Sequence, residues 1–554
     1  MISADNVLLN CNVITIDPKR PRAEAIAIKG DRFLLVGSNE EVKETIGKRT
    51  KIRDLGGMTV VPGFNDAHCH PLLFAVAVKD IDLGDASICS VKDIVDVVGN
   101  QAKQQETGTW VNCRGYDQNR LQEKRHITRW ELDKAAPEHL VRLRHFGLHS
   151  VVVNSKVLAL AGITKDTPDP EGGEIERDPK TGQPTGVILE MPAVALIDRV
   201  MPKVSYEDVI ENLSITNQRF LAEGITSCAH AGVGLQVDWP RAIGAYQEAV
   251  ETGALKIRVS LQPWHERFLD YHRIDEELDV LDSRLFKFGI RSGLGDEKLR
   301  IGPFKIIMDG AVSLVTAATY EPYGADPEHQ GTGILTMEPE LLTRIVSALH
   351  RRGWQMSIHA IGDRATDVVL DAYEAALREW PRTNHRHHIE HCTIMNVPQM
   401  IRMKQLGVLC VTQPHFIWDT GDNFFQQLGV KRTEGGTLRL RTMLNNGVFT
   451  VFSSDRPCSS GTPLLGIHAA VNRKTKSGQN YGRDEAISVE AALRLYTLNG
   501  AYTTFEDGIK GSVEAGKLAD LAVLTADPTQ IDPDGIKDIS VAATLVGGEF
   551  VYEK

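Results

Sequence analysis

A chain of 554 residues, 42% hydrophobic and 24% charged, has the composition of a folded globular protein and is too long for one ordinary core. Its net charge of −11 is spread without acidic or basic blocks, so nothing in it calls for nucleic acid or a membrane as partner. No apolar run reaches the roughly 18 to 20 residues needed to cross a bilayer. The first residues lack a basic-then-apolar leader pattern, and the eight cysteines are scattered without a CxxC pair; a cytoplasmic protein with reduced thiols is expected.

In chain order, the first sixty residues alternate short β-type runs with turns: "NVLLNCNVITID", "AEAIAIKGDRFLLVG" and "KIRDLGGMTVVPG". The last fifty behave alike, with "LADLAVLTADP" and then "SVAATLVGGEFVYE" around a Gly-Gly turn. The two ends are expected to meet in one small β-sandwich domain, residues 1–61 with 501–554; two independent β caps are the alternative. Between them the pattern is α/β, and eight strands can be read in order. They are "TVVPGFNDAHCH", "GITSCAHAG", "KIRVSLQ", "IGPFKIIMDG", "QMSIHAIGD", "RHHIEHC", "GVLCVTQPHF" and "GVFTVFSSDRP". After the fifth, "RATDVVLDAYEAALREW" has helical spacing at Val368, Val369, Ala372, Ala376 and Leu377. After the sixth, "NVPQMIRMKQLG" is a helix stopped by Gly407. Eight strand–helix repeats predict a (β/α)8 TIM-type barrel over residues 62–75 and 206–500. Residues 76–205 are too many for a strand–helix connection and predict an inserted lid domain with its own core. Within it, "PDPEGGEIERDPKTGQPTG" reads as an irregular loop.

The chemistry concentrates at strand ends. His68 and His70, two apart on a strand, point to the same side and can converge on one ion. His359, His391 and Asp455 end later strands, and strand C-terminal ends of a barrel share one mouth. Singly, each histidine could be structural and Asp455 a helix cap. Lys305 sits in the apolar run "IGPFKIIMDG", where a bare ammonium is costly. It could pair with Asp309, face a substrate carboxylate, or carry CO2 as a carbamate that bridges two metal ions.

"PGFNDAHCH", the strand-four lysine and the strand-end His359, His391 and Asp455 together resemble the amidohydrolase superfamily, as does the late "GSVEAGKLADLAVL". "FKIIMDGAVSLVTAA", "HAIGDRATDVVLDAYE" and "HFGLHSVVVNSKVLALAGI" with "PDPEGGEI" are similar to its amidohydrolase-3 group, which includes N-substituted formamide deformylases. The resemblance implies one or two divalent ions, zinc by expectation. It implies that His68 and His70 hold the first with Asp455, and that His359 and His391 hold the second, bridged by a carboxylated Lys305. Asp455, with His391, would be catalytic, Asp455 taking the proton of the attacking water. Where relatives carry His-Asp after the second strand, this chain reads "CAHAG", with His230 kept and the acid absent. Trp110, His149, Asn154, His230, His415, Phe416 and Trp418 are the candidate substrate contacts. The expected reaction is hydrolysis of a C–N bond in a small linear amide of N-acyl, N-formyl or carbamate type. A cyclic amide, an ester or lactone, or a decarboxylation would use the same residues, and a non-catalytic regulatory or binding protein is the remote alternative. A small molecule is the expected partner, and a homodimer the assembly considered.

Overall fold

The computed structural model describes residues 2–85, 87–234, 237–264, 289–324 and 331–554. Its centre, among the described residues, is nine parallel strand segments in two sheets, four in one and five in the other. In one sheet Phe64–Cys69, Ile225–Val233 and Arg258–Pro263 pair in sequence order, with Leu299–Ile301 beside the third. In the other, Phe304–Ile307, Met356–Ala360, His388–His391, Leu409–Thr412 and Thr450–Phe452 pair in sequence order. Backbone contacts join the two sheets on both sides. A parallel bridge links Trp264 to Lys305. Opposite it, the Asp455 amide donates to His68 O and the His70 amide to Arg456 O, each at 2.8 Å.

The strand "IGPFKIIMDG" is thus two segments, Leu299–Ile301 and Phe304–Ile307, with Gly302 and Pro303 between them. The first expected strand divides as well. Thr59–Pro62 joins the terminal β domain and Phe64–Cys69 the central sheet. The break falls at Gly63, where a Cβ would lie 2.1 Å from Thr226 Oγ1; only glycine lets the strands approach so closely.

Helices cover the outer faces, and their apolar stripes explain them. Asp363–Glu379 buries Ala365, Val369, Ala372, Tyr373 and Ala376, spacings of three and four that put one face against the sheet. Val397–Leu406 ends as its sequence predicts, at Gly407 with φ of 70°.

Strands from both parts of the chain share one sheet. Thr59–Pro62 lies between Asn12–Ile14 and the C-terminal strand Leu521–Leu524 in a six-stranded sheet. A four-stranded sheet built on Asn6–Leu9 and Ala25–Lys29 packs on it through Leu8, Val13, Ile26, Val60, Leu521 and Val523.

The inserted segment forms its own six-stranded sheet from Ile81–Asp82 to Pro184–Leu189, with a separate apolar cluster on each face. The stretch expected as an irregular loop is a β-hairpin, Glu174–Arg177 against Pro184–Leu189. Its turn is pinned by Asp178, whose Oδ1 accepts from the amides of Lys180 and Thr181, while the Asp178 amide donates to Gln183 O. Density of Gly and Pro marked the turn and hid the strands.

Candidate metal centre

The strand ends open into a cavity of about 750 Å³ lined by His68, His70, His149, Lys305, His359, His391 and Asp455. His68, His391 and Asp455 form its tightest group, with one donor atom of each within 4.8 Å of the others. Asp455 Oδ1 lies 3.1 Å from His70 Nε2 and 3.3 Å from His68 Nε2. This trio cuts across the two ligand sets implied by the resemblance, because it unites His391 with the first-strand histidine.

Backbone geometry makes the convergence. Glu390 and His391 are neighbours on one strand and should face opposite ways. A φ of 74° at His391 and 57° at Asp455 breaks the alternation and turns both toward the mouth. Such left-handed positions in non-glycine residues cost energy and cluster where geometry serves chemistry.

Protein partners fix the rings. His68 Nδ1 bonds Glu390 Oε2 at 2.6 Å, leaving Nε2 toward Asp455. His391 Nδ1 bonds Gln413 Oε1 at 2.8 Å, and His149 Nδ1 bonds Glu190 Oε2 at 2.7 Å. His359 Nε2 meets Gly310 O at 3.1 Å and Asp309 Oδ1 at 3.3 Å. Carboxylate or carbonyl on one nitrogen and an open second nitrogen is the arrangement of metal-ligating imidazoles.

Burial pushes the Asp455 carboxyl up, but hydrogen bonds from His68 and His70 and the nearby imidazoles outweigh it and hold the group well below its usual range. Burial pulls Lys305 down from the usual lysine value, against the opposing charges of Glu390 and Asp455. Its Nζ is buried without a hydrogen-bond partner, so the pair with Asp309 is not made. Asp309 instead accepts from the amides of Ile361, Gly362 and Ala318. Imidazole and carboxylate donors suit zinc and its neighbours, and with an orphaned buried amine beside them the residue set fits a divalent ion.

The proposed substrate contacts separate. His149 and Phe416 line the cavity. His230 is fully buried, bonded through Nδ1 to Tyr246 Oη at 2.8 Å, and depressed first by burial and then by His70 and His68. His415 spends both ring nitrogens, on Tyr496 Oη and Thr462 O. Trp418 packs edge-on against His468. Trp110 packs on a core of the inserted sheet, and Asn154 caps the helix Ser155–Leu160 while accepting from the Val141 amide. None of His230, His415, Trp418, Trp110 and Asn154 lines the cavity. Its walls come instead from Phe146, Leu148, Met191, Trp264 and Phe424, with Glu390, Gln413 and Glu190 behind the histidines. In sequence such apolar residues look like any core residue; only Glu390, inside "HIEH", carried a readable signal.

Comparison with known proteins agrees with this geometry. A family model described as "Amidohydrolase family" matches residues 51–552. The chain belongs to that family. It is 31% identical over 99% of its length, and 98% of the relative's, to an N-substituted formamide deformylase of Arthrobacter pascens. It is 29% identical to the putative amidohydrolase YtcJ of Bacillus subtilis (strain 168), covering 98% of each. Among solved structures, an uncharacterized metal-dependent hydrolase from Pyrococcus horikoshii OT3 superposes with a TM-score of 0.73 at 26% identity, over 95% of this chain and 99% of that one. As an amidohydrolase the chain has a TIM-barrel-type α/β fold and is a metal-dependent hydrolase. No helix among the described residues is long and apolar enough to cross a membrane.

Proposed function

We propose that this amidohydrolase cleaves the C–N bond of a small linear amide, of N-acyl, N-formyl or carbamate type. The observation that carries the reading is the His68, His391 and Asp455 group at the foot of a largely apolar cavity. The similarity to an N-substituted formamide deformylase supports the linear amide.

His68, His391 and Asp455 would hold a divalent ion, with His70 beside them, and His359 and a modified Lys305 would complete a second position. Bound there, zinc or a similar ion polarises a carbonyl and lowers the pKa of water toward about 7. Burial favours the neutral Lys305 amine. That amine can add to CO2, forming an N–C bond and releasing its proton, which leaves a carbamate anion in place of a costly cation. Asp455, kept ionised, accepts a proton from the attacking water and hands it to the leaving nitrogen. His149, its ring set by Glu190, faces the cavity where the substrate oxygen would gather charge. Phe146, Leu148, Trp264, Phe416 and Phe424 suit an apolar group on one side of the scissile bond.

We further read the two parallel sheets as one closed (β/α)8 barrel, residues 1–61 with 501–554 as a single β-sandwich domain, and 76–205 as the lid. The contacts on both sides of the central sheets and the Thr59–Pro62 pairing with Leu521–Leu524 support this.

Metal-reconstituted protein should be tested on N-substituted formamides, N-acyl amines, carbamates and lactams. Release of formate or another acid together with an amine from the linear compounds is the expected outcome. Turnover confined to lactams or esters would sink the linear-amide reading.

A further inference from the structure

A second cavity, of about 610 Å³, opens at the other end of the strands. Ser260 and Gln355 stand at strand beginnings there, whereas His359 and the metal-type residues stand at strand ends. Its lining includes Arg300, Arg382, His385, Asn384, Ser260 and Ser292. Cations outnumber carboxylates around it. Arg300 and Lys510 share one carboxylate, Glu506. Among the described residues, the partners of Arg382 are a carbonyl and imidazoles, not a carboxylate. The Arg382 Nη2 donates to Trp354 O at 2.7 Å and to His350 Nδ1 at 3.0 Å and lies 3.1 Å from His387 Nε2, and its Nε is buried without a partner. Arg291 stands near enough to Arg382 to repel it.

A half-buried guanidinium set among imidazoles and a second guanidinium, with its Nε buried and unpaired, wants an anion. Ser260 supplies a further sign. It is 4% exposed, lines the cavity, and its Oγ has no hydrogen-bond partner. Glycine keeps that hydroxyl open, because a Cβ on Gly302 would lie 2.4 Å from the Oγ. Gly293 and Gly353 also line the space, so backbone comes close to whatever occupies it.

We propose that this cavity is a binding site for a phosphate group. Arg382 and Arg300 supply charge-assisted donors, and Ser260 and Asn384 supply neutral donors from other directions. Donors arriving from several sides match a tetrahedral oxyanion better than a planar carboxylate. Free phosphate and a phosphomonoester share this chemistry. The site is separate from the hydrolytic cavity, with which it shares no lining residue.

Calorimetric titration of the full-length protein with inorganic phosphate and with glycerol 3-phosphate, at ionic strength matched with chloride, tests it. Saturable binding is expected, weakened by about tenfold or more in Arg382→Gln, the scale of losing a charged hydrogen bond. Ser260→Ala, which removes only a hydroxyl, should weaken it severalfold and leave amide turnover unchanged. Tighter binding of the ester would identify a phosphomonoester as the ligand, and equal binding free phosphate. No binding beyond the chloride control overturns the proposal. So does binding that is unaltered in both variants, which would place the anion at the metal centre.

Discussion

The two ends of the central strands are both rich in histidine, and they use it in opposite ways. At the mouth, His149 and His391 each spend one ring nitrogen on a protein acceptor and line the cavity with the rest of the ring, while His68 divides its two between Glu390 and Asp455, itself a candidate ligand. At the floor, His350 bonds His387 through one nitrogen and Trp380 O through the other. His387 accepts from the Met356 amide as well, and His385 bonds Leu406 O while accepting from the His387 amide. A floor histidine is a finished structural joint. A mouth histidine is held but unfinished, which is what a ligand requires.

This contrast can be broken most severely at Asp455. Asp455→Asn keeps the size and loses the proton acceptor, so turnover of the responsive amide should fall on the order of 100- to 10,000-fold with an unchanged far-ultraviolet spectrum. Next in size is Glu390→Gln, which leaves the His68 ring without its anionic partner. Elemental analysis should show metal affinity weakened about 10- to 100-fold.

The floor should answer in stability instead. His387→Ala removes the acceptor of the Met356 amide and the donor to His350 Nδ1, at a cost of about 1–3 kcal/mol in denaturant unfolding. Activity per folded molecule should not change. A drop in turnover matching that of Asp455→Asn would erase the distinction between the two ends.

Acid gives the most graded effect. Burial lowers His385 and His126 from 6.5 to about 4 in the folded chain. Between those values the unfolded chain binds more protons, so their contribution to stability is complete above pH 6.5 and declines as pH falls toward 4. Unfolding midpoints flat across that window would contradict their burial as neutral rings.

Much of the mouth was legible because metal-type residues in apolar strands are costly and therefore conspicuous. His68, His70, His359, His391 and Asp455 all stand where their strands end and all line one cavity. Less legible was anything that depends on chain direction rather than residue type. Nothing in "RHHIEHC" announces that His391 adopts a φ of 74° and so shares the mouth with a ring held by its neighbour Glu390. Trp264 and Phe424 wall the cavity from distant segments, and an apolar wall and an apolar core obey the same periodicity. Trp110 and Asn154 show the converse error. Their types suggest a binding site, but one packs and the other caps a helix.

The residues at the mouth are assigned to chemistry through a bound divalent ion. The most direct test of that assignment is elemental analysis of the purified protein paired with turnover of an N-substituted formamide, before and after chelation and after zinc is returned. At least one divalent ion per chain is expected, with loss of formate release when it is removed and recovery with zinc. Full turnover by metal-free protein would contradict the assignment.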